Sequence, residues 1–311
     1  MNEKNEITEP TKQTSLSYVL ITPARNEAAF IEGTIKSVVA QTILPAKWVI
    51  VSDGSTDGTD EIVRKYIPDN TWIELIRMPE SRDRTFAAKV ACVNAGYERV
   101  KKLPYDIIGM LDADITFEPD YFEYLLTQFK DNPKLGVAGT PFVEDGDHYD
   151  YRFSNIEHVS GACQLFRKEC YKDIGGYVPI RGGGIDTVAV RTARMKCWQT
   201  RTFTEKTCYH HRKMGTGSSS MAGGLFKLGR EDYYLGGHPL WQAVRTVYQL
   251  TRKPYIVGGL MLFAGFAWAA IKGIEKPISQ ELIDFHRKEQ MARLKKALRL
   301  SRHAEVKKVI S

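Results

Sequence analysis

Three short segments gather acidic and amide side chains in patterns suited to metal and phosphate chemistry. Thr22-Pro23-Ala24-Arg25-Asn26-Glu27, Asp53-Gly54-Ser55-Thr56-Asp57-Gly58-Thr59 and Asp112-Ala113-Asp114 each follow an apolar, β-branched run. Carboxylates brought together repel one another unless a cation or a hydrogen-bond donor stands between them. A hard divalent cation takes oxygen ligands and shares them with phosphate, so the cluster points to Mg2+ or Mn2+ beside a phosphorylated substrate. Asp112 and Asp114 are spaced i, i+2, which in an extended segment puts both on one face. Asp53 and Asp57 have a second use, because DGSTDGT is also turn chemistry leading into a helix N-cap. His210-His211-Arg212 offers an imidazole to a coordination shell and a guanidinium to phosphate oxygens. Adjacent histidines point to different sides of an extended chain, so only one of His210 and His211 is expected on the metal. Gly182-Gly183-Gly184, just before Ile185-Asp186, lets backbone approach a ligand closely, although an ordinary loop would look the same.

These segments need a frame. SYVLIT, KWVIVSD, WIELIRM, YDIIGMLD and LGVAG are strand-like runs. Helical spacing is expected around Phe30 to Val39, from Thr56-Asp57 to Tyr66, from Phe86 to Val100 and from Glu118 to Lys130. Alternating strands and helices predict an α/β fold, a Rossmann-like, mostly parallel sheet with helices on both faces. Ligands of such sheets bind at the carboxyl ends of the strands, where the acidic segments fall. No GxGxxG or GxxxxGK[ST] follows any strand, which sets aside dinucleotide and P-loop sites.

The 311 residues carry a net charge of +7, but its distribution argues against nucleic acid. Lys272 to Ser311 holds 11 Lys and Arg against 5 Asp and Glu, leaving only +1 for the first 271 residues. A nucleic-acid enzyme would spread basic side chains along its main groove, whereas a basic tail suits a surface of anionic lipid. The tail follows 18 uncharged residues, Pro254 to Ile271, at the lower limit for crossing a bilayer. Basic flanks on both sides (Arg252, Lys253; Lys272, Lys276) favour a re-entrant or interfacial segment, with a buried core helix as the alternative. Beyond it, Met291, Leu294 and Leu298 recur at helical spacing among basic residues, as in a helix lying on headgroups or a solvated basic helix.

Five cysteines without a CxxC suggest a reducing compartment, and the polar N-terminus has no signal-peptide core. The expected organisation is a disordered polar tail (1–16), a catalytic domain (17–237) and a helical, membrane-associating region (238–311). Met214 to Gly224, rich in Gly and Ser, suits either a lid or a plain linker.

PARNE, VSDGSTDGT and LDADI, followed by GACQLFRKECYKDIGGY and IDTVAVRTARMKCW, resemble the motifs of family 2 glycosyltransferases in the order that family has them. The resemblance runs from about Ser17 to Trp198 and implies the GT-A fold. It implies that Pro23, Ala24, Asn26, Glu27, Asp53 and Asp112 bind the donor nucleotide, with Asp53 accepting the N3–H of a uracil. It further implies that Asp112 and Asp114, with His210 or His211, hold the metal, that Arg212 contacts the diphosphate and that Asp186 is the catalytic base. The family places a Glu before that Asp, and Ile185 stands there in this chain. Processive members carry QxxRW, which is absent, so transfer of one sugar is expected.

The resulting expectation is an inverting, metal-dependent transfer from a UDP-sugar to a lipid-linked saccharide. It would occur at the cytoplasmic face of the plasma membrane, in surface-polysaccharide synthesis. Transfer directly to a polyprenyl phosphate is the nearest alternative. Two others belong to different classes: a HAD-like phosphatase, suggested by LDADIT, and a non-catalytic nucleotide-sugar-binding protein at the membrane.

Overall fold

Tyr18 and Leu20 of strand β1 (Tyr18–Ala24) belong to one hydrophobic cluster, while Val19 and Ile21 belong to another. Alternate side chains of a strand face opposite ways, so a run apolar at every position must be covered on both sides. β2 (Lys47–Asp53) repeats the pattern, with Trp48 and Ile50 in the first cluster and Val49 and Val51 in the second. The first cluster is closed by α1 (Ile31–Val39), α2 (Thr59–Tyr66) and α4 (Tyr121–Asp131). The second is closed by α3 (Phe86–Val100), α5 (Lys168–Asp173) and α6 (Ile185–Met195). Polar groups in the first cluster find partners: the Trp48 indole N–H donates to Thr22 Oγ1 at 2.9 Å and the Tyr18 hydroxyl to the Ile43 carbonyl at 2.8 Å.

The remaining strands are β3 (Ile73–Met78), β4 (Ile107–Leu111), β5 (Ile115–Phe117), β6 (Leu135–Gly139), β7 (Phe142–Glu144), β8 (Asp147–His148), β9 (Cys163–Arg167), β10 (Gln199–Thr202) and β11 (Cys208–His210). The main sheet runs β10-β6-β9-β4-β1-β2-β3, parallel except for β9, which is antiparallel to both neighbours. The chain builds outward from β1 to β3 and then returns to place β4 on the other side of β1. This reversal opens a crevice at the carboxyl ends of β1 and β4. A second sheet, β5-β11-β7-β8, sits beside it. This computed structural model describes residues 16–79, 85–144, 147–148, 155–212 and 221–310. The expected N-terminal tail falls almost wholly outside them, as does most of Met214 to Gly224, whose last residues begin a helix.

That helix, α7 (Met221–Tyr234), is followed by α8 (Pro239–Leu250), α9 (Tyr255–Ile271) and α10 (Gln280–Ile310). α7 and α9 cross in backbone contact: a Cβ added at Gly229 would fall on the Leu262 carbonyl, and one at Gly265 on the Phe226 carbonyl. The uncharged stretch is thus helical, and its Gly258, Gly259, Leu262, Gly265, Phe266 and Ala269 face is buried. Among the described residues no helix is long and apolar enough to cross a membrane.

In α10 the residues that precede the Met291, Leu294 and Leu298 stripe pack on the protein. Leu282, Ile283, His286 and Gln290 are buried on the protein rather than free for lipid. Arg194 of α6 donates to both Glu289 oxygens at 2.8 and 3.1 Å, and Arg293 pairs with Glu157 at 3.2 Å. Helical spacing alone does not say which surface an apolar stripe will cover.

Burial, together with Arg191, Arg194, Arg293 and Arg245, pushes the His286 imidazole down to about 2. The unfolded chain would take up a proton near the ordinary histidine value, about 6.5, while the fold stays neutral. His286 therefore lets stability drain as pH falls below about 6.5, by at most about 1.4 kcal/mol per pH unit. His286→Gln should flatten the loss of thermal stability between about pH 6.5 and 5; an unchanged slope would show that other groups govern it.

Candidate active site

Register brings the acidic segments together. Pro23 and Ala24 of β1 pair with Val51 and Ser52 of β2, so the segments after both strands emerge side by side. Asn26, at φ 55°, accepts the Thr56 N–H on its side-chain oxygen at 2.9 Å, and its own N–H reaches Ser55 Oγ at 3.1 Å. The Glu27 N–H donates to Thr59 Oγ1 at 2.8 Å. Asp57 does the turn work anticipated for DGSTDGT, accepting from Thr59 N and Oγ1 on one oxygen and from Ala28 N on the other. Asp53 is left to face the crevice, where Arg25 pairs with it at 3.1 Å.

Asp112-Ala113-Asp114 occupies a turn between β4 and β5 rather than an extended run. Its two carboxylates take different partners. Lys89 of α3 meets Asp112 Oδ1 at 2.5 Å, while Asp114 lies 3.5 Å from His210 Nε2 and 3.8 Å from Arg212 Nε. The second sheet explains the last two contacts. β11 runs antiparallel to β5, pairing His210 with Ile115, and the His211 N–H donates to the Asp114 carbonyl at 3.0 Å. The adjacent rings do diverge, since His211 Nε2 is 2.8 Å from Thr116 Oγ1. Arg212 also pairs with Glu27, tying the end of β11 to the segment after β1.

Asp186 lies in the first turn of α6. Gly183 and Gly184 precede it at φ 116° and 80°, in the left-handed region where glycine is nearly obligatory. A helix N-terminus favours an anionic side chain. Asp186 also packs on Gly161, where an added Cβ would lie 2.8 Å from Oδ2. Ala162, next in the chain, accepts the Asp112 N–H at 3.0 Å.

The electrostatics follow from this crowding. Burial, then the neighbouring Asp112, push the Asp114 carboxyl up, against the pull of His210 and Arg212. Burial alone would lower the Lys89 ammonium; Asp112 above all, with Asp186 and Asp114, holds it above its ordinary value. Glu231 of α7, which the sequence motifs do not include, is pushed up to about 7 by burial, then by Asp186 and Asp232. Lys89 and Arg25 were also without an assigned role. A lone Lys inside the apolar run of α3 was the available signal for the first. A cavity of about 710 Å³ elsewhere, lined by Gln128, Ile156, Glu157 and Trp198 among others, includes none of these site residues.

Residues 19–185, over half the chain, match the Glycosyl transferase family 2 domain. The chain belongs to glycosyltransferase family 2. It is 28% identical over 170 residues to the poly-beta-1,6-N-acetyl-D-glucosamine synthase of Staphylococcus aureus (strain COL), across 48% of this chain and 39% of that protein. It is 25% identical over 247 residues to the Staphylococcus epidermidis synthase of the same name, across 71% and 56%. The chain thus spans only about two-fifths to just over half of these relatives. Among solved structures, the Pyrobaculum calidifontis mannosyltransferase PcManGT with GDP-Man and Mn2+ superposes with a TM-score of 0.59 at 18% identity, over 96% of this chain and 84% of that one. Residues 1–349 of S. aureus TarS with UDP-GlcNAc give 0.54 at 16%, over 83% and 73%. At such identities the likeness concerns the fold, and it is the expected GT-A fold. Family membership also replaces the phosphatase alternative.

The Lys89–Asp112 pair should be energetically coupled. Lys89→Met leaves Asp112 facing Asp114 and Asp186 without its cation and should cost about 1–2 kcal/mol. Asp112→Asn in the same chain should recover part of that loss. Chemical denaturation of the double-mutant cycle checks it, and strict additivity would show the pair to be independent.

Proposed function

We propose that the protein transfers a single sugar from a nucleotide sugar, with inversion, to a hydroxyl of a lipid-linked saccharide. The observation that supports this reading is that Asp112, Asp114 and Asp186 all bear on the one Lys89 ammonium, with the residues read as donor-side on the adjoining strand ends. In this reading Asp186 accepts the acceptor hydroxyl's proton as that oxygen bonds to the anomeric carbon. The bond from that carbon to the diphosphate oxygen breaks on the opposite face, and the electron pair leaves with the nucleoside diphosphate. Asp53 accepts a base N–H, Asn26 and Glu27 line the base and ribose, and Arg212 exchanges Glu27 for the diphosphate.

Among the described residues no three carboxylate, imidazole or thiol groups are already gathered as a metal-binding set. The residues nonetheless suit a divalent cation. Asp114 is raised by burial and then by the charge of Asp112, and it faces His210, whose Nδ1 is buried without a hydrogen bond and lies 3.8 Å from Glu144. Asp112, Asp114 and His210 would hold Mg2+ or Mn2+, with His211 directed away to Thr116. A cation held there neutralises the diphosphate and makes it a better leaving group.

The donor to test first is UDP-N-acetylglucosamine, in view of the names of the sequence relatives. A nucleotide sugar that binds only the folded state should raise the melting temperature, and should do so only with Mg2+ or Mn2+. Asp114→Asn should abolish that rise. Asp186→Asn should keep it while slowing transfer roughly 100- to 10,000-fold. Normal transfer by the Asp186 variant would assign the base elsewhere.

We also propose attachment to the cytoplasmic face of the plasma membrane. α9 leaves Ile256, Val257, Leu260, Phe263 and Ile271 exposed, Ile271 at 84%, and α8 adds Leu240, Val247 and Tyr248. Such an apolar face rimmed by Arg252, Lys253, Lys272 and Lys276 matches anionic lipid. The wild type should float with phosphatidylglycerol-containing vesicles. Val247→Asp with Leu260→Asp and Phe263→Asp should not, while remaining folded; equal flotation would remove α8 and α9 from the contact.

A further inference from the structure

Ile185 stands where the family pattern has a Glu, and a carboxyl from a distant part of the chain lies against the glycine turn just before it. Glu231 of α7 lies against the turn that precedes Asp186. A Cβ added at Gly184 would sit 2.9 Å from Glu231 Oε1, and one at Gly183 would sit 3.6 Å from Oε2. The point over Gly183 is also 3.3 Å from the Phe86 ring, which is 48% exposed at the start of α3. One glycine turn is therefore flanked by an aromatic ring and a carboxyl, with the base two residues onward. Neighbouring Asp232 is occupied by Arg245, whereas Glu231 has no ion pair within the described residues.

We propose that Glu231, Phe86 and the Gly182–Gly184 turn form the acceptor subsite, and that its occupant is a hydroxyl-bearing sugar ring rather than a prenyl phosphate headgroup. The assignment rests on the glycosyltransferase reading and narrows its acceptor. A pyranose has an apolar C–H face that can lie on an aromatic ring and hydroxyls that both donate and accept. Burial and the charges of Asp186 and Asp232 raise the Glu231 carboxyl toward neutrality, so it can meet a hydroxyl in either sense. A phosphate would instead bring negative charge beside Asp186 and Asp232, where the nearby cations are Arg191 and an Arg245 already paired with Asp232, which disfavours it. Glycine at 183 and 184 is what lets Phe86, Glu231 and Leu235 close on this turn, since a side chain at Gly184 would meet Leu235 and Glu231 at 2.5 and 2.9 Å.

Saturation-transfer NMR tests this with methyl β-glycosides of glucose, mannose and N-acetylglucosamine, in the presence of UDP or GDP and Mn2+. Ring-proton signals are expected for at least one glycoside. Glu231→Gln and Phe86→Ala should each weaken its binding about tenfold, with nucleotide affinity and melting temperature unchanged. Farnesyl phosphate should not displace it. The subsite is overturned if nucleotide binds but no glycoside does, or if both variants bind the glycoside like wild type. It is equally overturned if farnesyl phosphate displaces the glycoside and binds the Glu231 variant more tightly. Failure of both UDP and GDP to bind the wild type would instead sink the glycosyltransferase reading beneath it.

Discussion

Like charges crowd the carboxyl ends of β1, β2 and β4, and the fold balances them with its own basic side chains. Asp53 has Arg25, Asp112 has Lys89, Glu27 has Arg212, and Asp114 has His210 and Arg212 nearby. Each pairing joins different elements, so charge balance also fixes geometry: α3 is drawn to the end of β4, and β11 to the segment after β1. A partly buried carboxylate left alone would protonate or push its neighbours apart. In the proposed function the same pairings would be exchanged, with a diphosphate taking the guanidinium that Glu27 holds and a cation sitting where His210 faces Asp114.

Much of this was legible because it is local. Parallel strands covered on both faces have to be apolar throughout, and KWVIVSD and LGVAG coincide with β2 and β6 to the residue. Asp57 could be read as a turn residue because its partners, Thr59 and Ala28, are either two residues away or across one strand pairing. The divergence of His210 and His211 likewise follows from the alternation of an extended chain. What could not be read depended on contacts distant in sequence. Lys89 meets Asp112 only because α3 packs across the sheet, and Glu231 reaches Gly184 only because α7 folds back over α6. The i, i+2 spacing of Asp112 and Asp114 suggested one shared face, but the turn between β4 and β5 gives each carboxylate a separate partner.

α10 shows the same limit on a larger scale. Its sequence shows the Met291, Leu294 and Leu298 stripe among basic residues, but not the packing of Leu282, Ile283 and His286 on the protein or the Arg194–Glu289 pair that holds its first half. The face proposed to meet lipid lies on α8 and α9, and in α9 an exposed apolar face and a buried one share the same helix. Composition identified an apolar stretch; only packing divided it into an inner and an outer half.

The contact between α7 and α9, glycine against carbonyl, leaves almost no slack between these helices. Glu231 is mounted on one and the apolar outer face on the other, so the two move as a single piece. If that face rests on a bilayer, the height of the carboxyl above the lipid is set like the jaw of a calliper. Acceptors would then be sorted by how far their reactive group projects from the membrane, before any contact with the sugar is made.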